Sequence, residues 1–281
     1  MDNFPDLDSQ IDMALEEDLQ DTGDITSESI FSDEEHTFVL ISKDNGILCG
    51  EEAFTRVMKR LDSLTNVRFF FSDGNYIRQG EPVAEVSGKV ISILKAERTA
   101  LNFLSMLSAV ATRTSEFVRE AGGRAVILDT RKTIPGFRHL QKYAVRCGGG
   151  SNHRMGLYDM VMIKDNHIDA ADGISAAVEK VRNRWGVRFK IEVEARNMSE
   201  VEEALNCRVN RILLDNMSRE EIAMAVKHIG GVCETEASGN MTPVKIKPVA
   251  STGVDFISAG ELTNSIRAFD FSLKSLLTDL K

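Results

Sequence analysis

The sequence predicts an α/β protein in two parts, a small strand-rich sandwich followed by a parallel α/β barrel. Three observations predict it. In the second half, the strand-length apolar runs AVILDT, MVMIKDN, FKIEVEA, RILLDNM, VCETEASG and VDFISAGEL alternate with helical or loop segments. From Phe189 onward they recur about every 21 to 22 residues, the size of one compact βα unit, so their sheet is parallel, either a closed barrel or an open doubly wound layer. Polar residues then decide between the two. Asp129, Lys164, Glu192, Glu194, Asp215, Glu234, Glu236 and Ser258 sit inside or at the ends of these runs. One buried charge is usually a structural ion pair, but a set of them on successive strands suits a barrel, whose strand C-termini converge on one mouth. The first half instead shows short runs around DGN, QGEP and SGK, the look of a small sandwich.

Taken in order, SQIDMALEEDL places Ile11, Leu15 and Leu19 on one face and predicts a short amphipathic helix. DTGDITSESIF is polar and turn-rich. HTFVLISKDNGILCG reads as two strands broken by a DNG hairpin turn, and EEAFTRVMKRL as a helix. The sandwich resembles the type that carries lipoyl or biotinyl lysines, but Lys89 lies between Gly88 and Val90 rather than at a hairpin tip, so a structural role is preferred. SILKAERTALNFLSMLSAVATRTSEFVREAGG is the longest helical segment, with Leu94, Leu101, Leu104, Leu107 and Val110 apolar and Gly122 and Gly123 as its stop.

Composition narrows the function. The chain has 281 residues, 42% hydrophobic and 27% charged, as a soluble globular protein of two ordinary domains would. A net charge of −9 argues against a nucleic-acid binder whose whole surface is the footprint. Cys49, Cys147, Cys207 and Cys233 follow no CxxC or metal-ligand spacing and read as reduced thiols. The acidic N-terminus is no signal peptide, and no apolar run reaches the roughly 18 residues of a membrane span. The expected location is the cytoplasm.

Against this acidic background, residues 129 to 168 hold Arg131, Lys132, Arg138, Lys142, Arg146, Arg154 and Lys164, with His139, His153 and His167. Arg131 and Lys132 follow one strand, Lys164 ends the next, and His153 and Arg154 lie between them behind three glycines. Adjacent cations in a concave mouth suit a substrate with several carboxylates or phosphates, and glycines let backbone N–H groups approach an anion. GGGSNHR is neither a Walker A loop nor GxGxxG, so nucleotide hydrolysis and dinucleotide binding lack support. Glu194 and Asp215 would face the cations, and carboxylates act on anionic ligands through Mg²⁺. EASGN and SAG end the late strands with small residues, as barrel phosphate sites do.

DTRKTIPGFRHLQKYAVRCGGGSNHRMGLYDMVMIKDNHI closely resembles the signature of the quinolinate phosphoribosyltransferases, and so do EEDLQDTGDITSESIF, AERTALNFLSMLSAVAT, IEVEA, ILLDNM, EASGN and ISAGELT. The resemblance covers nearly the whole chain. It implies conversion of quinolinate and phosphoribosyl pyrophosphate (PRPP), with Mg²⁺, to nicotinate mononucleotide, pyrophosphate and CO₂ in de novo NAD biosynthesis. It implies an N-terminal α/β sandwich over residues 1–115, rejoined by 266–281, and an incomplete parallel α/β barrel over 116–265. By resemblance, Arg131, His153, Arg154 and Lys164 bind quinolinate, with Arg98 entering from the partner in a homodimer or hexamer of dimers. Read from the residues alone, Arg98 is a solvated helix position. Lys132 would bridge quinolinate and PRPP. Glu194 and Asp215 would handle the ribose hydroxyls and the Mg²⁺ of PRPP, and with Lys132 form the catalytic set. Ser238, Gly239 and Gly260 would hold the 5′-phosphate.

Two positions depart from the pattern, Asn240 where many relatives have glycine and Asn264 where they have histidine, both in the phosphate corner. Asparagine tolerates left-handed backbone, which would keep the turn at 240, and Asn264 donates a hydrogen bond without charge. Three rival readings use the same residues: a Schiff-base aldolase on Lys164, a molybdenum-associated relative of the same fold, and a binding protein that kept the fold. The intact GGGSNHR and IKDNH segments and the complete charged ring favour the quinolinate enzyme.

Overall fold

A computed structural model describes residues 4–276. The chain divides into two compact units, one of residues up to Arg113 with His139–Gly149 and those from Ile266 onward, the other of Thr114–Arg138 and Gly150–Ser265. The segment His139–Gly149, inside the range the sequence gives to the barrel, groups with the first unit. Residues 277–281 of the expected return lie outside the described residues.

The first unit begins with α1 (Leu7–Leu19), α2 (Ser27–Ile30), β1 (Glu35–Ser42), β2 (Gly46–Ile47) and α3 (Glu51–Leu61). It continues with β3 (Asn66–Phe69), β4 (Tyr76–Ile77), β5 (Pro82–Lys89) and α4 (Val90–Ala121), a helix that runs past the unit boundary. Its main sheet has the order β12-β1-β5-β3 and is antiparallel; β12 (Phe271–Ser275) brings the chain's end back to β1. Phe38 and Leu40 alternate inward along β1, the period of a strand covered on one side. On α3, Phe54 packs edge-on against Phe69 of β3 at 5.6 Å. α1 ties to the same helix through Arg56–Asp8 and Arg60–Asp12 ion pairs.

One expectation fails here. The DNG segment does not close a hairpin, because β1 pairs with β12 and β5, whereas β2 pairs with β4. A two-residue strand after the turn is too short to compete with two long partners for β1. Lys89 pairs with Asp33 at 2.7 Å on the surface, in keeping with its structural reading.

The second unit follows the βα rhythm: β6 (Val126–Leu128), α5 (Arg138–Cys147), β7 (Val161–Ile163), α6 (Asp165–Ala171) and α7 (Ile174–Trp185). Then come β8 (Ile191–Ala195), α8 (Met198–Asn206), β9 (Arg211–Asp215), α9 (Arg219–Ile229), β10 (Glu234–Ser238), α10 (Pro243–Ala250), β11 (Phe256–Ser258) and α11 (Glu261–Asn264). Of these, α5 belongs by its contacts to the first unit apart from its first residue. Local signals set the helix starts: Ser218 and Glu221 form a reciprocal capping box on α9, and Asn197 accepts the N–H of Glu200 on α8.

The six parallel strands lie in the order β6-β11-β10-β9-β8-β7. That is the order of a barrel wall open at one seam, between β6 and β7, among the described residues. Ser151 makes an isolated parallel bridge to Leu128 beside that seam. Every residue of β8 is buried, as a strand covered on both faces requires.

Candidate active site

Side chains alternate along each strand, so residues two apart share a face. On β8 these are Glu192 and Glu194, on β9 Arg211, Leu213 and Asp215, and on β10 Glu234, Glu236 and Ser238. Strand register places Glu192 opposite Arg211, Glu194 opposite Leu213, and Ser238 opposite Asp215. The C-terminal member of each series lines a cavity of about 700 Å³, as do Leu213 and Glu236 just beneath, while Glu192, Arg211 and Glu234 lie outside it.

The deep layer is paired within itself, and His153 and Glu236 form the floor of the cavity. Glu192 and Glu236 are fully buried, and His153 Nε2 lies 3.0 Å from Glu192 and 3.4 Å from Glu236. Arg211 joins Glu236 at 2.8 Å and Glu234 at 3.0 Å, with the ring of Phe256 4.0 Å from its guanidinium carbon. Burial opposes a charged His153, but the two carboxylates outweigh it and raise the ring to about 9. Burial likewise pushes Glu192 up, while His153, Ser258 and Arg211 outweigh burial at Glu236 and draw it down. The backbone N–H of Arg154 points at His153 Nδ1 (2.7 Å) and works against a second ring proton. The two carboxylates thus favour a proton on Nε2, which faces Glu192, while Arg211 supplies the positive charge beside Glu236.

Asp129, fully buried at the end of β6, aims the loop above this layer. It accepts Asn152 Nδ2 at 2.5 Å and the backbone N–H of His153 at 2.9 Å. Arg138 staples the same loops, donating to Thr133 Oγ1, the Met155 carbonyl and the Arg131 carbonyl.

The cavity wall is built otherwise. Arg131 and Arg154 are near enough that Arg131, after burial itself, draws the Arg154 guanidinium below its ordinary value. Nε of Arg131 is buried without a hydrogen-bond partner. Neighbouring cations with an unsatisfied buried donor are complementary to an anion. Lys164 Nζ pairs with Glu194 at 2.8 Å, joining a residue of the expected quinolinate set to one of the expected ribose set. Asp215 accepts Ser238 Oγ at 2.6 Å and Asn216 Nδ2 at 2.7 Å.

The far corner is shaped by close approach. Gly239 has φ +107°, and a Cβ there would lie 2.3 Å from Asn216 Oδ1 and 2.9 Å from its Cα, so only glycine fits. A Cβ on Gly260 would meet Lys132 Cδ at 2.9 Å, which explains how Lys132 passes over this turn. Thr263 Oγ1 holds the turn by donating to the Lys132 carbonyl at 2.8 Å. Asn240 adopts φ +45°, the left-handed backbone that asparagine accommodates, and Asn264 lines the cavity beside Gly260.

The cavity therefore gathers Arg131, Lys132, His153, Arg154, Lys164, Glu194, Asp215, Ser238, Gly239 and Gly260. Arg98 is exposed on α4 in the first unit and does not line it. Lys142 and Arg146, counted among the cations by sequence, also lie elsewhere: Lys142 is fully buried, and Arg146 stacks on Tyr143. Sequence reasoning gave no role to Arg211, Asn216 or Thr263. For Arg211 a signal exists, since it sits on the same alternating face of RILLD as Asp215.

Comparison with known proteins gives this geometry its relatives. Residues 110–274 match the model of the quinolinate phosphoribosyl transferase C-terminal domain, and residues 24–108 that of the N-terminal domain. The chain belongs to the quinolinate phosphoribosyltransferase family. It is 41% identical to the rice (Oryza sativa subsp. japonica) chloroplastic nicotinate-nucleotide pyrophosphorylase [carboxylating], over 96% of this chain and 77% of that protein. It is 39% identical to the probable Bacillus subtilis (strain 168) nicotinate-nucleotide pyrophosphorylase [carboxylating], over 92% and 90%. The nicotinate-nucleotide pyrophosphorylase structure from Francisella tularensis superimposes with a TM-score of 0.92 at 40% identity, covering 98% of both chains. Membership in the quinolinate phosphoribosyltransferase family makes this chain a phosphoribosyl-transferring enzyme of mixed α/β fold, with a sheet domain and a domain built on a six-stranded parallel sheet.

Proposed function

We propose that the cavity binds quinolinate on its arginine side and PRPP across the Glu194–Asp215 wall and the glycine corner. As a quinolinate phosphoribosyltransferase the chain converts these two substrates to nicotinate mononucleotide, pyrophosphate and CO₂, in de novo NAD biosynthesis. The observation that carries the assignment of sides is the buried Arg131 Nε donor left without a partner, on a cavity wall it shares with Arg154.

In this reading Arg131 and Arg154 each take a carboxylate of the dianion. Lys164 exchanges part of its contact with Glu194 for the substrate. His153 lies at the cavity floor with both ring nitrogens directed to protein groups, and its contribution is to fix the Arg154 backbone. Arg98 enters from a second subunit. Lys132 lies between quinolinate and PRPP, and Ser238, Gly239 and Gly260 receive the 5′-phosphate. Work in the cytoplasm is part of the same proposal; no helix among the described residues is long and apolar enough to cross a membrane.

The chemistry asks more for positioning than for proton transfer. The pyridine nitrogen attacks ribosyl C1 as pyrophosphate leaves, and carboxylates held near the ring stabilise a cationic C1. Ribosylation makes the ring cationic, which stabilises the carbanion left by CO₂. The oxygen donors Glu194 and Asp215 suit Mg²⁺, although both already have protein partners, so the ion would be shared with PRPP oxygens. When bound it would neutralise charge on pyrophosphate.

The test is an assay with PRPP, Mg²⁺ and either quinolinate or nicotinate, following substrate loss and CO₂ release. Turnover of quinolinate alone is expected. Equal turnover of nicotinate would overturn the two-carboxylate role of the arginine pair.

A further inference from the structure

Cys49 and Cys147 are far apart in sequence and show no redox motif, yet the first unit brings them together. Cys49 lies in the turn between β2 and α3. Its N–H donates to Ser108 Oγ at 3.0 Å, and that hydroxyl donates to its carbonyl at 3.1 Å. Cys147 is the last residue of α5. The two Sγ atoms and a carboxylate oxygen of Asp73 lie within 4.8 Å of one another.

The two thiols differ in character. Cys49 is fully buried, and burial first, then its contacts with Cys147 and Asp73, push its thiol well above the ordinary range. Cys147 is half-buried; the Cys49 hydrogen bond first, then that of Tyr143, and the Arg146 charge draw its thiol down against burial. Neither other cysteine has such a partner: Cys207 Sγ donates to Ser175 Oγ at 3.4 Å, and burial raises Cys233. A reactive cysteine is a partly exposed one favoured as thiolate, and a neighbouring thiol resolves its sulfenic acid as it gives up its proton.

Three ligand atoms this close could also suggest a metal. Asp73 argues against that. Its Oδ1 accepts the N–H groups of Gly50 (2.8 Å) and Glu51 (3.2 Å), capping α3, and its Oδ2 accepts the Tyr143 hydroxyl at 2.7 Å. Oδ1 is filled by two N–H donors, so Asp73 serves first as the cap of α3, and the two sulfurs are the groups left facing each other. With the sulfurs in one group of atoms within 4.8 Å, an S–S bond requires only a short approach of the two side chains.

We infer that Cys49 and Cys147 form a reversible disulfide when the protein meets hydrogen peroxide, with Cys147 attacking and Cys49 resolving. The Cys147 thiolate displaces one peroxide oxygen: an S–O bond forms, the O–O bond breaks, and the departing hydroxide takes up a proton as water. Sulfur is oxidised by two electrons to the sulfenic acid and peroxide is reduced. The Cys49 sulfur then attacks the Cys147 sulfur, forming S–S and breaking S–O; hydroxide leaves with the Cys49 proton as a second water. Two thiols and one peroxide give one disulfide and two waters.

Both cysteines lie in the first unit, and their oxidation can be read whatever substrates the cavity takes. Whole protein is treated with hydrogen peroxide, alkylated under denaturing conditions and mapped by mass spectrometry. The expected result is a peptide pair linked through Cys49 and Cys147, a fall in free thiols from four to two, and full reversal by dithiothreitol. In Cys49→Ser, Cys147 should stop at the sulfenic acid and be captured by dimedone; in Cys147→Ser, Cys49 should stay a thiol at the same dose. Oxidation of Cys147 without the linked pair, a link through Cys207 or Cys233, or equal oxidation of Cys49 in Cys147→Ser would overturn it. The wild-type map decides alone if either variant fails to fold.

Discussion

The barrel carries charge in two layers that obey opposite rules. In the deep layer, Glu192, Glu236, His153 and Arg211 answer one another, and each buried acid has a cation within about hydrogen-bond reach. In the cavity wall, Arg131 and Arg154 stand together and a buried donor of Arg131 has no acceptor. Burying charge is unfavourable unless it is paired, so the first arrangement belongs to the fold and the second belongs to a ligand. The same strands supply both. Glu192 and Glu194 are two residues apart on one face of β8, and a step of two moves a carboxylate from the closed layer to the open one.

The contrast predicts that wall substitutions cost activity and deep substitutions cost stability. The largest effect is expected from Arg131→Ala. Losing two charge-assisted hydrogen bonds to the dianion should reduce kcat/KM for quinolinate on the order of 10²–10³-fold. The melting temperature and the KM for PRPP should barely move, and a kinetic comparison with a thermal melt checks both. Asp215→Ala should lower turnover about 10²-fold while quinolinate still binds, as equilibrium binding of the labelled substrate would show. Wild-type turnover in either variant would break the division between layers.

Glu192→Gln should act the other way. His153 is raised from 6.5 to about 9. A group raised in the folded state contributes stability that is whole below its unfolded value and is lost as pH rises through its folded one. Denaturant stability should therefore fall between pH 6.5 and 9 by ~2 kcal/mol in the wild-type protein. In Glu192→Gln that slope should flatten, because the raising carboxylate is gone; an unchanged slope would place the proton elsewhere. The smallest effect is expected from Asn264→His, which adds a cationic donor beside Gly260. The KM for PRPP should fall a few-fold, about 0.5–1 kcal/mol in binding, and an unchanged KM would remove Asn264 from the phosphate corner.

Much of this was legible in the chain. The β6 to β11 runs were visible as apolar segments of strand length, and their alternation with helical segments required a parallel sheet. Glycines marked turns that only they could make, as at Gly239. What could not be read were pairings that depend on competition. DNG is a sound hairpin signal, but β1 found longer partners in β5 and β12, one nearby and one from the end of the chain. The cation cluster in 129–168 looked like one site because charge type carries no direction. Helix α5 turned Lys142 and Arg146 into the first unit while the loops on either side carried Arg131 and Arg154 to the cavity.

The sequence by itself determined the family, the βα order and the residue types at the strand ends, since these follow from periodicity and from a long run of uncommon residues. Tertiary structure alone decided which charges face each other. It set Glu192 beneath His153, Lys164 on Glu194, and Cys49 against Cys147. The physical reason is that a charge or a thiol takes its meaning from neighbours within a few ångströms, and those neighbours come from strands and helices the chain order keeps apart.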